Sequence, residues 1–183
     1  MRSKSQSGFT LIELVVVIII LGVLAAIALP RFANLQAQAR IAKMNGALGA
    51  IKSAATMSHA LLLANGYQTN QSGDPGAGAL STGPDINVEG VNVVYQLGYP
   101  DTTTILPLAG LGAQAGGGVV APVAVGTANT VLGDFYVVNV TAGVVTLAPD
   151  AQHGACSITY TEATAATVTP LYGANNLIVA NCD

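Results

Sequence analysis

Gly8-Phe9-Thr10-Leu11-Ile12-Glu13-Leu14-Val15-Val16-Val17-Ile18-Ile19-Ile20-Leu21-Gly22-Val23-Leu24-Ala25-Ala26-Ile27-Ala28-Leu29 is the stretch on which the fold turns. Phe9 to Leu29 is 21 residues. At about 1.5 Å per residue that makes about 30 Å of helix, the thickness of a bilayer's hydrocarbon core. Glu13 is the only charged side chain in it. A carboxylate held in hydrocarbon is costly unless something neutralises it, so Glu13 calls for a partner.

Outward from this run, the charges are sorted by position. All six Lys and Arg lie at or before Lys52: Arg2, Lys4, Arg31, Arg40, Lys43 and Lys52. Eight of the nine acids lie from Asp74 onward. A head without cations is a poor nucleic-acid binder, because phosphate contacts need Lys or Arg. The same sorting gives the chain complementary ends, suited to pairing between stacked copies. An acidic, soluble head is the plainer alternative.

The leader Met1–Gly8 is short, polar and basic, which keeps it on the cytoplasmic side while the remainder crosses. A secretory signal places a small-residue cleavage site beyond its apolar run. Here Ala26-Ile27-Ala28 fits only loosely and is followed by Pro30 and Arg31. A plain single-pass anchor is the simplest alternative. No cysteine follows the run closely, which excludes a lipoprotein anchor.

Gly8-Phe9-Thr10-Leu11-Ile12-Glu13, with this leader length and apolar run, resembles the prepilin signature of type IV pilins and type II secretion pseudopilins. The resemblance is clearest over residues 8–55, and residues 30–40 look most like pilins of the mannose-sensitive haemagglutinin type. It implies an α+β type IV pilin fold: a long N-terminal helix, membrane span plus stalk, packed against an antiparallel β-sheet head. It also implies that a membrane prepilin peptidase cuts between Gly8 and Phe9 and that Phe9 becomes the N-methylated first residue. Glu13 matches the family's glutamate. Implied partners are further copies in a helical filament, the peptidase, an inner-membrane pilus or secretion assembly machinery, and lipid before assembly. The precursor would sit in a bacterial inner membrane with its head in the periplasm, and the product would be an extracellular pilus. No cofactor is implied.

The residues fit that processing. Cleavage removes Arg2 and Lys4 and creates an amine at Phe9. That amine on one copy and Glu13 on a neighbour are opposite charges at one membrane depth, and pairing them favours the assembled state.

Helix formers dominate residues 31–64, with apolar positions at Leu35, Ala39, Ala42, Leu48, Ile51, Ala55, Met57 and Leu61–Leu62. Asn65-Gly66 supplies a stop. The expected division is leader 1–8, filament-core helix 9–29, amphipathic stalk 30–64, variable loop 65–90 and sheet head 91–183. Pro30 lacks an N–H, and with Gly22 it marks where the helix kinks on leaving the bilayer or melts in a filament. Gly46 and Gly49 mark either close approach to the sheet or a neighbour, or ordinary tolerance.

In the head, Val91–Leu97, Phe135–Val140, Gly143–Leu147, Ser157–Thr161 and Ala166–Thr169 read as strands, and residues 107–130 as loop with a short strand. Cys156 and Cys182 are most simply one disulfide in an oxidising compartment, the alternative being two unpaired thiols. Such a bond pins Leu177–Cys182 against the sheet. In pilins the matching cysteines bound a surface region used in subunit contacts and adhesion, a role the resemblance extends to residues 156–182.

No enzyme is expected. His59 has no acid near it in sequence, and His153 with Asp150 and Cys156 lacks an oxyanion site. Asp74, Asp85, Glu89 and Asp101 match no EF-hand spacing, so no metal site is expected, and they read as solvated acids sooner than a calcium site. The function expected is the major structural subunit of an adhesive type IV pilus. The alternatives are a type II secretion pseudopilin and a monomeric membrane-tethered binding module with Phe9 uncut.

Overall fold

The computed structural model describes residues 9–66, 86–88, 90–112, 123–141, 143–164 and 169–183, with backbone alone for 29–34. The leader with Gly8, most of the 65–90 loop with Asp74, Asp85 and Glu89, and all but Thr169 of the strand expected over Ala166–Thr169 lie outside these residues.

The first element, α1, is a single helix of 54 residues, Leu11–Ala64, about 81 Å long. It begins because Thr10 is extended (φ −83°, ψ 149°) and its hydroxyl accepts from the Glu13 amide, the N-cap arrangement. It ends at Asn65, whose amide and side-chain Nδ2 donate to the Leu61 carbonyl at 3.1 and 2.8 Å. Gly66 then takes φ +82°, a turn-off that a side chain resists. The helix passes through both Gly22 and Pro30.

Two hairpins follow. β1 (Ile86–Val88) pairs with β2 (Val91–Val93), and β3 (Tyr95–Gln96) with β4 (Tyr99–Pro100). The strand at 86–88 falls in the segment read as loop, and Val91–Leu97 is two short strands broken at Val94. The second hairpin turns through Leu97 and Gly98, both at positive φ (50° and 84°), the geometry of a two-residue primed turn. A short helix, α2 (Ile105–Leu108), runs into the start of the segment expected to be loop. Asp101 caps it, accepting from the Thr104 amide at 2.9 Å and the Thr104 hydroxyl at 2.7 Å.

The main sheet is five antiparallel strands in order, β5 (Ala128–Leu132), β6 (Phe135–Thr141), β7 (Val144–Ala148), β8 (Ile158–Thr161) and β9 (Leu171–Gly173). Alternation sets its faces. Val137, Val140, Val145, Leu147, Ile158 and Tyr160 point inward and are buried. They meet Ala37, Met44, Ala47, Leu48, Ile51 and Ala55 of α1. Three alanines among those six let the sheet lie close to the helix. A second, smaller core gathers Val91, Val93 and Tyr95 around Leu62 at the far end of α1.

The buried face of the stalk differs from the stripe read from sequence. Leu48, Ile51, Ala55 and Leu62 are buried, whereas Leu35, Ala39, Ala42, Met57 and Leu61 face solvent. The stem is apolar on more than one side, so composition alone does not select which side the head covers. Gly46 and Gly49 are exposed, and a Cβ at either would meet nothing within 4 Å. They are not where the sheet approaches.

Candidate assembly site

The N-terminal half of α1 is bare. Leu11–Ala28 has a mean hydropathy of 3.1 with none of the window buried. Phe9 is 95% exposed. A helix apolar all round and covered by nothing belongs in lipid or against other helices.

At its tip the chain supplies Glu13 with a partner that the sequence reading overlooked. One carboxylate oxygen accepts from the Thr10 amide and the Thr10 hydroxyl, each at 2.9 Å, while the Glu13 amide donates back to that hydroxyl at 3.4 Å. This is a capping box. Thr10-x-x-Glu13 is its sequence signature, so the signal was present. The box turns the acid toward the helix N-terminus, where partial positive charge gathers. One peptide unit separates the hydrogen-bonded Thr10 amide from Phe9. Glu13 is thus aimed at the end of the chain where cleavage after Gly8 would create an amine.

Three cations tie the lower stalk to the head. Arg40 donates to the Cys182 carbonyl at 2.7 Å and lies 3.7 Å from the Asp150 carboxylate. Lys43 donates to the Pro149 carbonyl at 2.9 Å, also to the Asp134 carbonyl, and sits 4.6 Å from the Phe135 ring centre. Lys52 stands 5.4 Å over the Tyr172 ring. These side chains serve their own head.

The disulfide joins Cys156 and Cys182, both buried, with Cα atoms 4.8 Å apart. It anchors α3 (Val179–Cys182). This last helix packs along α1, where Arg40 reaches its final carbonyl, and Leu177 before it packs against the core shared by α1 and the sheet. A four-residue helix leaves its carbonyls unpaired, and the guanidinium satisfies one. Beside it, His153 Nδ1 approaches the Asp150 carboxylate at 2.6 Å. Partial burial raises the Asp150 carboxyl, but hydrogen bonds from the His153 ring and amide, the His153 charge and the Gln152 amide outweigh it and leave the pKa lowered. Cys156 is bonded to Cys182 and so is no nucleophile. His59 lies flat on Tyr99, ring centres 4.2 Å apart, with Nδ1 2.8 Å from the Gly98 carbonyl. Among the described residues no three or more His, Cys, Asp or Glu gather to hold a metal ion.

Known proteins match where this geometry is most distinctive. The family model described as the prokaryotic N-terminal methylation motif matches residues 3–29. The type IV narrow pilus major component PilA5 of Thermus thermophilus is 52% identical over 54 residues, 30% of this chain and 44% of that protein. The type II secretion system core protein G of Pseudomonas aeruginosa is 44% identical over 57 residues, 31% of this chain and 40% of that protein. The type IV major fimbrial protein FimA of Dichelobacter nodosus is 29% identical over 121 residues, 60% of this chain and 75% of its own length. The chain thus spans less than half the length of the first two relatives. No solved structure matches it. Together with the long helix on an antiparallel sheet, the relatives place the chain in the broad superfamily of type IV pilins and pseudopilins. The methylation motif and bare apolar helix support a membrane-anchored precursor.

Proposed function

From that superfamily we propose that the chain is the major structural subunit of a type IV pilus, cut between Gly8 and Phe9, methylated at Phe9, and polymerised into a surface filament used for attachment. One observation carries the reading: 18 residues of uncovered apolar helix, Leu11–Ala28, with a carboxylate already turned to the end that processing would expose. In the membrane pool lipid covers the helix. In the filament other copies would do so, and the amine of a neighbour would join Thr10 in satisfying Glu13. Burying two opposite charges together removes the penalty that each carries alone. A prepilin peptidase and an inner-membrane assembly machinery are the partners this requires. The kinship with pilins of the mannose-sensitive haemagglutinin type, and the role of residues 156–182 in adhesion, are finer parts of the same proposal. So is loosening of α1 between Gly22 and Pro30 on assembly.

Mass spectrometry of sheared surface material tests it. The expected species begins at a methylated Phe9 and comes from filaments visible by electron microscopy. Glu13→Ala should leave the subunit in the membrane and abolish filaments. Filaments of normal length in that variant, or native protein that retains Met1–Gly8 and stays solitary, would overturn the proposal. The second result would instead support a tethered monomer.

The likeness to a type II secretion core protein favours a second reading, a pseudopilin. Its filaments would be confined to the periplasm, and its stability would depend on calcium. A melting temperature unchanged by chelation would favour the pilus.

A further inference from the structure

On the face of the main sheet turned away from α1, uncharged polar side chains line up across the strands. The register makes one continuous row: Ala128 pairs with Asn139, Asn139 with Thr146, Thr146 with Thr159, and Thr159 with Gly173. Thr146 and Thr159 alternate with the buried Val145, Leu147, Ile158 and Tyr160, so they point outward. Asn139 is exposed. Neighbours in such a row stand about 4.8 Å apart. At its β9 end the row enters a cleft of about 170 Å³, lined by Ser157, Thr159, Gly173, Asn175 and Asn176. The Thr159 hydroxyl lies over Gly173, where a Cβ would collide with it. Glycine there lets the hydroxyl sit in the cleft. Ser157 is 4% exposed, and its hydroxyl accepts from Asn176 Nδ2 at 3.2 Å. For the Ser157 proton, the Thr159 hydroxyl and the Asn175 side-chain amide, no hydrogen-bond partner stands among the described residues.

Resting on the attachment part of the proposed function, we propose that this cleft binds one residue of a neutral glycan, with further sugars lying along the row of Thr159, Thr146 and Asn139. The lining decides the class of ligand. It carries no charged side chain, and no Lys or Arg follows Lys52. An anion finds no cation there, and a cation finds no carboxylate. An apolar ligand would strip water from the Ser157 and Thr159 hydroxyls and offer nothing in return, which is costly. A ligand that is uncharged and rich in hydroxyls meets every group in the lining. Ser157 supplies a donor, Thr159 a donor and an acceptor, and Asn175 both through its side chain. The volume limits what enters: the cleft takes a single sugar ring, and the row beyond it takes the rest of a chain. No aromatic ring lines the cleft for a sugar to stack on, so one copy binds weakly. A filament would repeat the site on every copy, and a glycan-bearing surface would then be held by many weak contacts at once.

The test uses the full chain in a detergent without a sugar headgroup, so it does not depend on filament formation. Glucose, galactose and N-acetylglucosamine, singly and as short neutral oligomers, are titrated while the backbone amide resonances are followed. Glucuronate and inorganic phosphate serve as charged controls. At least one neutral sugar should shift the Ser157, Thr159, Gly173 and Asn176 amides in a saturable way, and the controls should not. Thr159→Val with Asn175→Ala removes two of the polar groups, neither at a buried position, and should weaken binding about tenfold. Thr146→Val, outside the cleft, is read independently: it should weaken binding of the oligomer and leave that of the single sugar unchanged. No saturable shift with any neutral sugar, equal shifts with glucuronate or phosphate, or undiminished affinity in the double variant would overturn the glycan site while leaving the filament reading untouched. Absence of filaments from the wild type would overturn that reading instead and leave the site standing.

Discussion

At the residue scale, the acid in the apolar helix is already half provided for. Glu13 holds two hydrogen bonds from Thr10 before any neighbour arrives, so the lone subunit is not left with a bare charge. Thr10→Ala removes the hydroxyl from both sides of the capping box. Loss of an N-cap costs about 1 kcal/mol of helix stability. The expected outcome is faster amide exchange over residues 11–14 in detergent and fewer filaments, with membrane insertion unchanged. Wild-type exchange rates there would show that the box does not hold. Asp150 makes a prediction of opposite reach, out in the head. Its carboxyl is lowered in the folded state, so the stabilisation it lends is present above the ordinary carboxylate value and is lost as pH falls through the lower, folded one. The window therefore opens below about pH 4. Asp150→Asn should melt earlier than wild type at pH 6, and the gap should close at pH 2.

At the element scale, α3 is the part of the head with the least structure of its own. Four residues cannot nucleate a stable helix, and two ties hold it: the disulfide and the hydrogen bond from Arg40 to the Cys182 carbonyl. Closing a loop over a sequence separation of 26 stabilises by about 3.5 kcal/mol in the chain-entropy view. Reduction should speed amide exchange across residues 156–182 first, leaving β6 and β7 protected. Simultaneous loss of protection in all five strands would mean the sheet depends on the bond as well. Sequence alone made some of these elements plain and concealed others for physical reasons. β6 and β7 announced themselves through β-branched residues around a glycine turn. The start of α1 was legible in Thr10 and Glu13. β9 and α3 were not, because Leu171-Tyr172-Gly173 and Val179-Ala180-Asn181-Cys182 are too short to carry a period. The covered side of the stalk was hidden because alanine and leucine recur on more than one side. Arg40 and Lys43 were read only as part of a basic stem suited to pairing with stacked copies, since the reach of a long side chain is settled only by what folds against it.

At the scale of the whole molecule, the sorting of charge has two consequences that pull together. Arg40, Lys43 and Lys52 contact the head they carry, and beyond Lys52 there is no further Lys or Arg. In the proposed filament, the surface contributed by residues 53–183 would carry no Lys or Arg, which would keep filaments soluble and apart. The same absence removes every trypsin site from residues 53–183, a stretch of 131 residues. Folding usually protects a domain by hiding its cleavage sites, and protection is then lost on melting. Here protection is written into the sequence and survives unfolding. After reduction and heat denaturation, trypsin should leave one intact species running from Ser53 to Asp183, while a protease cutting after apolar residues should degrade the same denatured sample. In the native state that second protease should spare the sheet and cut first in the bare or thinly packed stretches. The mass of the trypsin-limit fragment decides the matter: a single species with the mass of residues 53–183 is expected, and smaller tryptic pieces from the head would contradict it.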